Sequence, residues 1–417
     1  MTCLRAAWVV PVDQPPIAGG WVAVDRGQIT AIGRPEAADA SAWGPVTDLG
    51  SVALLPGLVN AHTHLELSWL RGAVAPAERF TDWVQALFAV RGRPSDMGDV
   101  EAIRAAALEA ALAMRACGTS LVGDISNSLA VADIPARAGL RGWTFHEVLG
   151  FGERDDAQVS QSRERRASAE AGPVAISIAA HAPYSVSREL LLAVAAEGRR
   201  LRPAPVSVHL AESPEEETLI RTGSGPWRTL LEHMGVWRHD WLVPGVSPAA
   251  YLADLGLLSP QTLAVHCTHA AAADLALLRE AGSTVVTCPR SNTWVGVGAP
   301  PISGFYASGV RVAFGTDSLA SVEDLNLFSE LAAAHAVAPD VPASRLLASA
   351  TLDGARALGL DREYGSLTVG KCADIVAVTL PSEISDIEAH LVAGVSADRV
   401  SWASTCEWQV ATSGGGE

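Results

Sequence analysis

Two histidines one residue apart, His62 and His64, close the apolar run LLPGLVNAHTH. In an extended strand, residues two apart point to the same side, so both imidazoles can share one cation. A His-x-His pair alone is weak evidence for metal, and its company decides the matter. His209 closes a second apolar run in SVHLAES, and Asp317 closes a third in AFGTDS. Three imidazoles and one carboxylate suit a single divalent metal, Zn²⁺ first, with Fe²⁺ or Mn²⁺ also served by such donors. They leave a place for water beside the protein ligands, as a catalytic site requires. A second cation, of the kind bridged by a carbamylated lysine, is disfavoured because the one lysine, Lys371, lies far downstream in VGKCADIVAV.

Proton transfer needs further groups. Glu212 follows His209 by three residues, and a carboxyl in a partly dry pocket beside a metal can carry a proton to a substrate nitrogen. The plainer alternative is a surface residue opening the acidic stretch Glu212–Glu217. His266 in AVHCTHA can polarise the attacking water. His269 competes for that task, and His266 is preferred as nearer the strand body. His181 in AAHAPYS is expected to face the substrate.

These residues need a scaffold that gathers strand ends at one place. Eight runs qualify: LLPGLVNAHTH, GTSLVGDIS, RGWTFHEVLG, VAISIAAHAPYS, PVSVHLAES, TLAVHCTHA, TVVTCPRSN and RVAFGTDS. Each starts apolar and ends in chemistry-bearing residues, and Ala/Leu-rich helical stretches such as EAIRAAALEAALAMRACG lie between them. That alternation predicts βα units, and an α/β barrel places its active site at the carboxyl ends of its strands. The expected fold is a (β/α)₈ TIM-type barrel over residues 56–360. Residues 1–55 and 361–417 read as β-rich, with GWVAVDRGQITAIG as a hairpin, YGSLTVGKCADIVAVTL and WQVAT as returning strands, and SGGGE as a disordered end. Together they are expected to form a small β-sandwich. The long connection from Ser213 to Leu263, with three tryptophans, is either a substrate wall or a surface decoration.

The chain has 417 residues, 49% of them hydrophobic, a formal charge of −16 and a pI near 5.1. That balance argues against a nucleic-acid surface and an anionic membrane. Six scattered cysteines without a CxxC pair read as reduced thiols. With no apolar run of eighteen residues and no signal-peptide core, a cytoplasmic location is expected.

PGLVNAHTHLELSWLRG, HAPYSVS, VHLAES, AVHCTHA, CPRSN and GTDS, in this order, resemble the amidohydrolase superfamily, in its branch of cytosine/adenosine-type deaminases and chlorohydrolases. VGKCADIVAV resembles the β-sandwich segment of those enzymes, so the resemblance spans nearly the whole chain. It implies that His62, His64, His209 and Asp317 bind the metal, that Glu212 shuttles the proton, and that His266 and Asp317 orient the attacking water. Within the branch, HTHLELSWLRG and PGVSPAAYLADLGLL are most similar to the aminodeoxyfutalosine deaminases of menaquinone biosynthesis. That implies a 6-aminopurine nucleoside carrying a benzoate. Its carboxylate would call for arginine, with Arg71 and Arg290 the candidates, beside Trp69 for stacking and Asn292 as a further substrate contact. Trp69 could equally serve as packing. Deamination of methylthioadenosine, S-adenosylhomocysteine or guanine, and triazine dechlorination, are the alternatives. A non-catalytic scaffold barrel is remote because every ligand position is filled. A small-molecule substrate is the expected partner, with pairing into a homodimer left open.

Overall fold

The computed structural model describes residues 1–35, 40–92, 99–169, 172, 174–381 and 384–406. WQVAT and SGGGE lie outside these. Eight parallel strands form the barrel: Leu58–Thr63, Thr119–Ser126, Arg141–Val148, Ala175–Ala180, Val206–Leu210, Thr262–His266, Thr284–Thr287 and Arg311–Phe314. Each pairs with its neighbours in sequence, and a Thr63–Asp317 bridge joins the first strand to the end of the eighth. Covered on both faces, most are buried from end to end, hence their continuous apolar runs.

The intervening helices carry legible boundaries. Asp99 caps Val100–Ala116 by accepting the Glu101 and Ala102 N–H groups, and Gly118 at φ +88° follows its end. The connection after the fifth barrel strand folds into three short helices, Pro214–Thr222, Pro226–His233 and Pro248–Asp254. Each begins with proline, whose missing N–H and fixed φ suit a first turn.

Two smaller sheets flank the barrel. One holds Thr2–Arg5, Trp21–Asp25, Gln28–Gly33 and Val46–Asp48. The Trp21–Asp25 and Gln28–Gly33 strands make the hairpin read from the DRG turn. The other sheet interleaves both ends of the chain: Ile17–Ala18, Trp8–Val9 and Val52–Pro56 with Ile375–Thr379 and Val400–Ser404. Val9, Val22, Ile29, Leu54, Ile375 and Ala377 share the core between the sheets. Among the described residues, no helix is long and apolar enough to cross a membrane.

Candidate active site

At the carboxyl end of the barrel, three imidazoles converge. The first strand extends through His62, and alternation turns His62 and His64 to the same side. Their Nε2 atoms are 3.2 Å apart, and His209 Nε2 from the fifth strand is 3.3 Å from His62 Nε2. Asp317 Oδ1 stands 3.6 Å from His64 Nε2 and 3.9 Å from His62 Nε2. His209 donates its Nδ1 proton to the His181 carbonyl at 2.9 Å. Its Nε2 lone pair therefore points into the cluster. Burial dominates the electrostatics: it pushes His64 down to about 4 and holds His62 and His209 well below the usual histidine range. Neutral imidazoles with converging lone pairs and a carboxylate beside them fit a divalent cation by their donor chemistry.

Glu147, His181 and His209 form a second close group, with ligand atoms within 4.8 Å of one another. His209 cannot serve both groups, since its Nδ1 proton is already committed to the His181 carbonyl. Lys371 lies outside the barrel and gives its ammonium to Tyr364 O and Ser366 Oγ.

Several side chains hold the cluster in place. Asp317 Oδ2 accepts from Ser291 Oγ at 2.6 Å, leaving Oδ1 toward the histidines. His266 donates from Nδ1 to Asn292 Oδ1 at 2.8 Å, which leaves its Nε2 3.5 Å from Glu212 Oε1. Glu216, fully buried, accepts the backbone N–H groups of Ala211 and Glu212 and so fixes the turn that presents Glu212. Ala211, His266 and Asp317 all have positive φ, at 47°, 71° and 61°. Non-glycine residues in this region are strained and gather where function over-determines the backbone. Burial drives the Glu212 carboxyl well above its usual range, and the nearby Asp317 carboxylate pushes the same way. Glu212 is thereby suited to carry a proton near neutral pH.

The cluster opens into a cavity of about 300 Å³, a size typical of small-molecule sites. His64, His181, His209, Glu212, His266 and Asp317 line its barrel end. The outer part is apolar and aromatic. Phe80, Trp83, Val84 and Leu87 come from helix Phe80–Arg91, and Trp227 and Leu231 come from helix Pro226–His233. Tyr184 stacks on Trp227 with ring centroids 4.0 Å apart, and its hydroxyl donates to Glu212 Oε2 at 3.3 Å. Part of the Ser213–Leu263 connection thus lines the cavity.

The structure brings His62, His64, His209, Glu212, His266, Asp317 and His181 together. It separates His266 from His269, whose Nε2 donates to Val297 O at 2.9 Å away from the cavity lining. Four residues expected at the substrate do not line the cavity. Trp69 sits on an outer turn, 36% exposed. Arg71 donates to the Glu323 carbonyl at the surface. Arg290 is occupied by Glu330 at 2.7 Å and Asp324 at 2.9 Å, an ion pair that packs helix Leu327–Val337 against the barrel. Asn292 lies behind His266 rather than on the cavity wall. Sequence reasoning passed over Arg91, Asn127 and Glu147, which do line it. Glu147 lies in the run RGWTFHEVLG, one residue before the end of strand Arg141–Val148, and carried the same strand-end signal as the histidines. Arg91 carried none, because a cation in the last turn of a helix is ordinary.

With this geometry in place, comparison defines the class. Residues 53–402 match the amidohydrolase family, so the chain belongs to that family and is an enzyme, a hydrolase of carbon–nitrogen bonds. Two curated relatives are close in length and order. The 5-methylthioadenosine/S-adenosylhomocysteine deaminase of Moorella thermoacetica is 31% identical over 407 residues, 93% of this chain and 89% of the relative. The aminodeoxyfutalosine deaminase of Deinococcus radiodurans is 33% identical over 82% of this chain and 81% of its own. Among solved structures, a zinc-bound adenosine deaminase from Xanthomonas campestris matches with TM-score 0.79 at 28% identity, covering 96% of this chain and 90% of its own. Helicobacter pylori aminofutalosine deaminase, in complex with methylthio-coformycin, shares the fold with TM-score 0.82 at 23% identity, covering 94% and 95%.

Proposed function

We propose that the chain is a metal-dependent deaminase of 6-aminopurine nucleosides, with 6-amino-6-deoxyfutalosine as the substrate and futalosine and ammonia as the products. The observation that carries the deaminase reading is the pairing of two features in one cavity. A converging His62, His64, His209 and Asp317 set lies beside Glu212, a buried carboxyl whose proton is held well above the usual range.

In this reading those four residues hold one divalent metal, for which Zn²⁺ is the first choice, and its chemistry when bound is to bring the pKa of a water toward neutrality. Glu212 gives its proton to the ring nitrogen next to the carbon bearing the amine. His266, held in one tautomer by Asn292, and Asp317, held by Ser291, orient the attacking water. Asp317 takes the proton left on the added oxygen as the ring carbonyl forms and passes it to the amine, which leaves as ammonia, while the water's other proton restores the Glu212 acid. His181 donates Nδ1 to Ser185 Oγ at 2.6 Å, because that hydroxyl already donates to the Ala182 carbonyl. Its Nε2 is an acceptor for a substrate hydroxyl or amine.

Methylthioadenosine or S-adenosylhomocysteine is the competing substrate, favoured by the near full-length match to a deaminase of those compounds. Ammonia release by the zinc-loaded protein separates the readings, measured with aminodeoxyfutalosine, adenosine, methylthioadenosine, S-adenosylhomocysteine and guanine. A kcat/KM highest for aminodeoxyfutalosine is expected. A preference for methylthioadenosine replaces the substrate and keeps the chemistry, whereas no ammonia from any of the five overturns the deaminase reading. Glu212→Gln should lower kcat by about 10²-fold or more, and unchanged turnover would remove Glu212 from the mechanism.

A further inference from the structure

We infer that Arg91 sets substrate specificity, selecting a nucleoside whose tail carries a carboxylate. This rests on the deaminase reading above and adds which member of the substrate class the cavity prefers. Among the described residues, Arg91 supplies the one guanidinium or ammonium group lining the cavity. Its side chain is 14% exposed and sits in the last turn of helix Phe80–Arg91. The preceding turns of that helix supply Trp83, Val84, Leu87 and Phe88 to the apolar wall.

Two contacts aim the guanidinium. Nη2 donates to Asn127 Oδ1 at 2.9 Å, and the Glu66 carboxylate stands 3.9 Å away, beyond hydrogen-bond length. Asn127 is fixed in turn, donating from Nδ2 to Glu147 Oε2 at 2.6 Å. Glu66 is anchored from behind by Ser126 Oγ at 2.5 Å and the Ser128 N–H at 3.2 Å.

A guanidinium has five N–H donors in a planar fork, and the one hydrogen bond Arg91 makes among the described residues uses only one. With the Glu66 carboxylate a charge partner beyond hydrogen-bond length, the remaining donors are open to water or to a ligand in the cavity. A ligand carboxylate matches the fork with two parallel charge-assisted bonds, which a neutral tail cannot do. The base end of the substrate is committed to Glu212, His266 and the histidine cluster. Arg91 lines the same cavity and ends the helix that builds the apolar wall, and in the proposed pose it meets the tail. An aryl carboxylate, apolar body first and charge at its end, fits such a wall with one cation. An amino-acid carboxylate shares the charge and lacks the apolar body.

The test compares wild type with Arg91→Met and Arg91→Lys on two carboxylate substrates, aminodeoxyfutalosine and S-adenosylhomocysteine, and two neutral ones, methylthioadenosine and adenosine. Arg91→Met is expected to lose about 10- to 100-fold in kcat/KM on the carboxylate substrates, mainly through KM. It should stay within about two-fold on the neutral ones, and Arg91→Lys should recover part of the loss. A larger loss on aminodeoxyfutalosine than on S-adenosylhomocysteine identifies the aryl carboxylate as the preferred tail. An equal fall on neutral and carboxylate substrates, or no fall on either, overturns the assignment while leaving the deaminase intact. Wild-type protein inert on all four overturns the deaminase reading and the Arg91 assignment with it. Thermal denaturation of each variant separates misfolding from lost recognition.

Discussion

At the scale of single residues, the site works by committing one atom of each side chain so that the other is free. His209 gives its Nδ1 proton to a carbonyl, His266 gives its own to Asn292, and Asp317 spends Oδ2 on Ser291. Asn292→Leu removes the acceptor that fixes the His266 tautomer. We expect kcat to fall about ten-fold or more, as for other partners that orient reacting groups, with KM and metal content within about two-fold of wild type. Steady-state kinetics and metal analysis check this, and a change in KM alone would return Asn292 to direct substrate contact. The residues that sequence reasoning found share one property. They sit at strand ends, where a two-residue period and a run of apolar residues announce them. Arg91 was not legible because it comes from a helix end and only tertiary packing brings it to the cavity, whereas Asn127 directly follows the strand Thr119–Ser126 and carried the strand-end signal without being singled out.

At the scale of elements, the βα pattern was readable because most barrel strands are buried from end to end and helices such as Val100–Ala116 are Ala/Leu-rich with a cap at one end and a glycine past the other. What lay beyond reading was how elements lock to one another. Gly315 shows one such lock: a Cβ there would lie 2.8 Å from the His62 carbonyl oxygen and 3.1 Å from Cys288 Sγ, so only glycine lets the eighth strand pass the first. Glu197 shows another. This buried carboxylate of helix Arg188–Leu201 takes Arg200, Arg163 and Arg166 at 2.5–2.8 Å, binding helix Ala157–Ser168 to its neighbour. The Arg200 hydrogen bonds, with those from Arg163 and Arg166, hold it far below the usual carboxylate range. Its folded pKa is thus depressed below the unfolded value of about 4.3. The stability it contributes is complete above that value and is lost as pH falls below it. Glu197→Gln should cost about 2 kcal/mol at neutral pH. The gap between the two proteins should narrow below about pH 4. Tm measured from pH 3 to 7 tests this, and two parallel curves would assign acid sensitivity elsewhere.

At the scale of the whole molecule, the two ends of the chain meet in the five-stranded sheet, and its strand Val400–Ser404 carries a join to the barrel. Trp402 donates from Nε1 to Arg115 O at 2.9 Å, and the Arg115 guanidinium lies 3.4 Å over its ring. Arg115 ends the helix Val100–Ala116, so the contact ties the terminal sheet to the barrel's outer ring. Trp402→Ala should destabilise the protein by about 2–3 kcal/mol, a half-buried version of the loss for a core aromatic. Metal stoichiometry and kcat should be unchanged at low temperature, because the site lies at the other end of the barrel. Denaturant unfolding and activity measured on one preparation check both halves. A loss of metal would mean that the sandwich and the site are coupled.

The Thr63–Asp317 bridge, which joins the first strand to the last, places the barrel's seam inside the site. His62 and His64 stand on one side of it and Asp317 on the other, some 250 residues later in the chain. In the proposed reading of His62, His64, His209 and Asp317 as metal donors, a chain emerging from the ribosome would hold three of the four long before the fourth is made, and the set would be complete only when the ring shuts. On that reading the fold carries its own interlock, since a copy whose ring is open lacks one of the four donors.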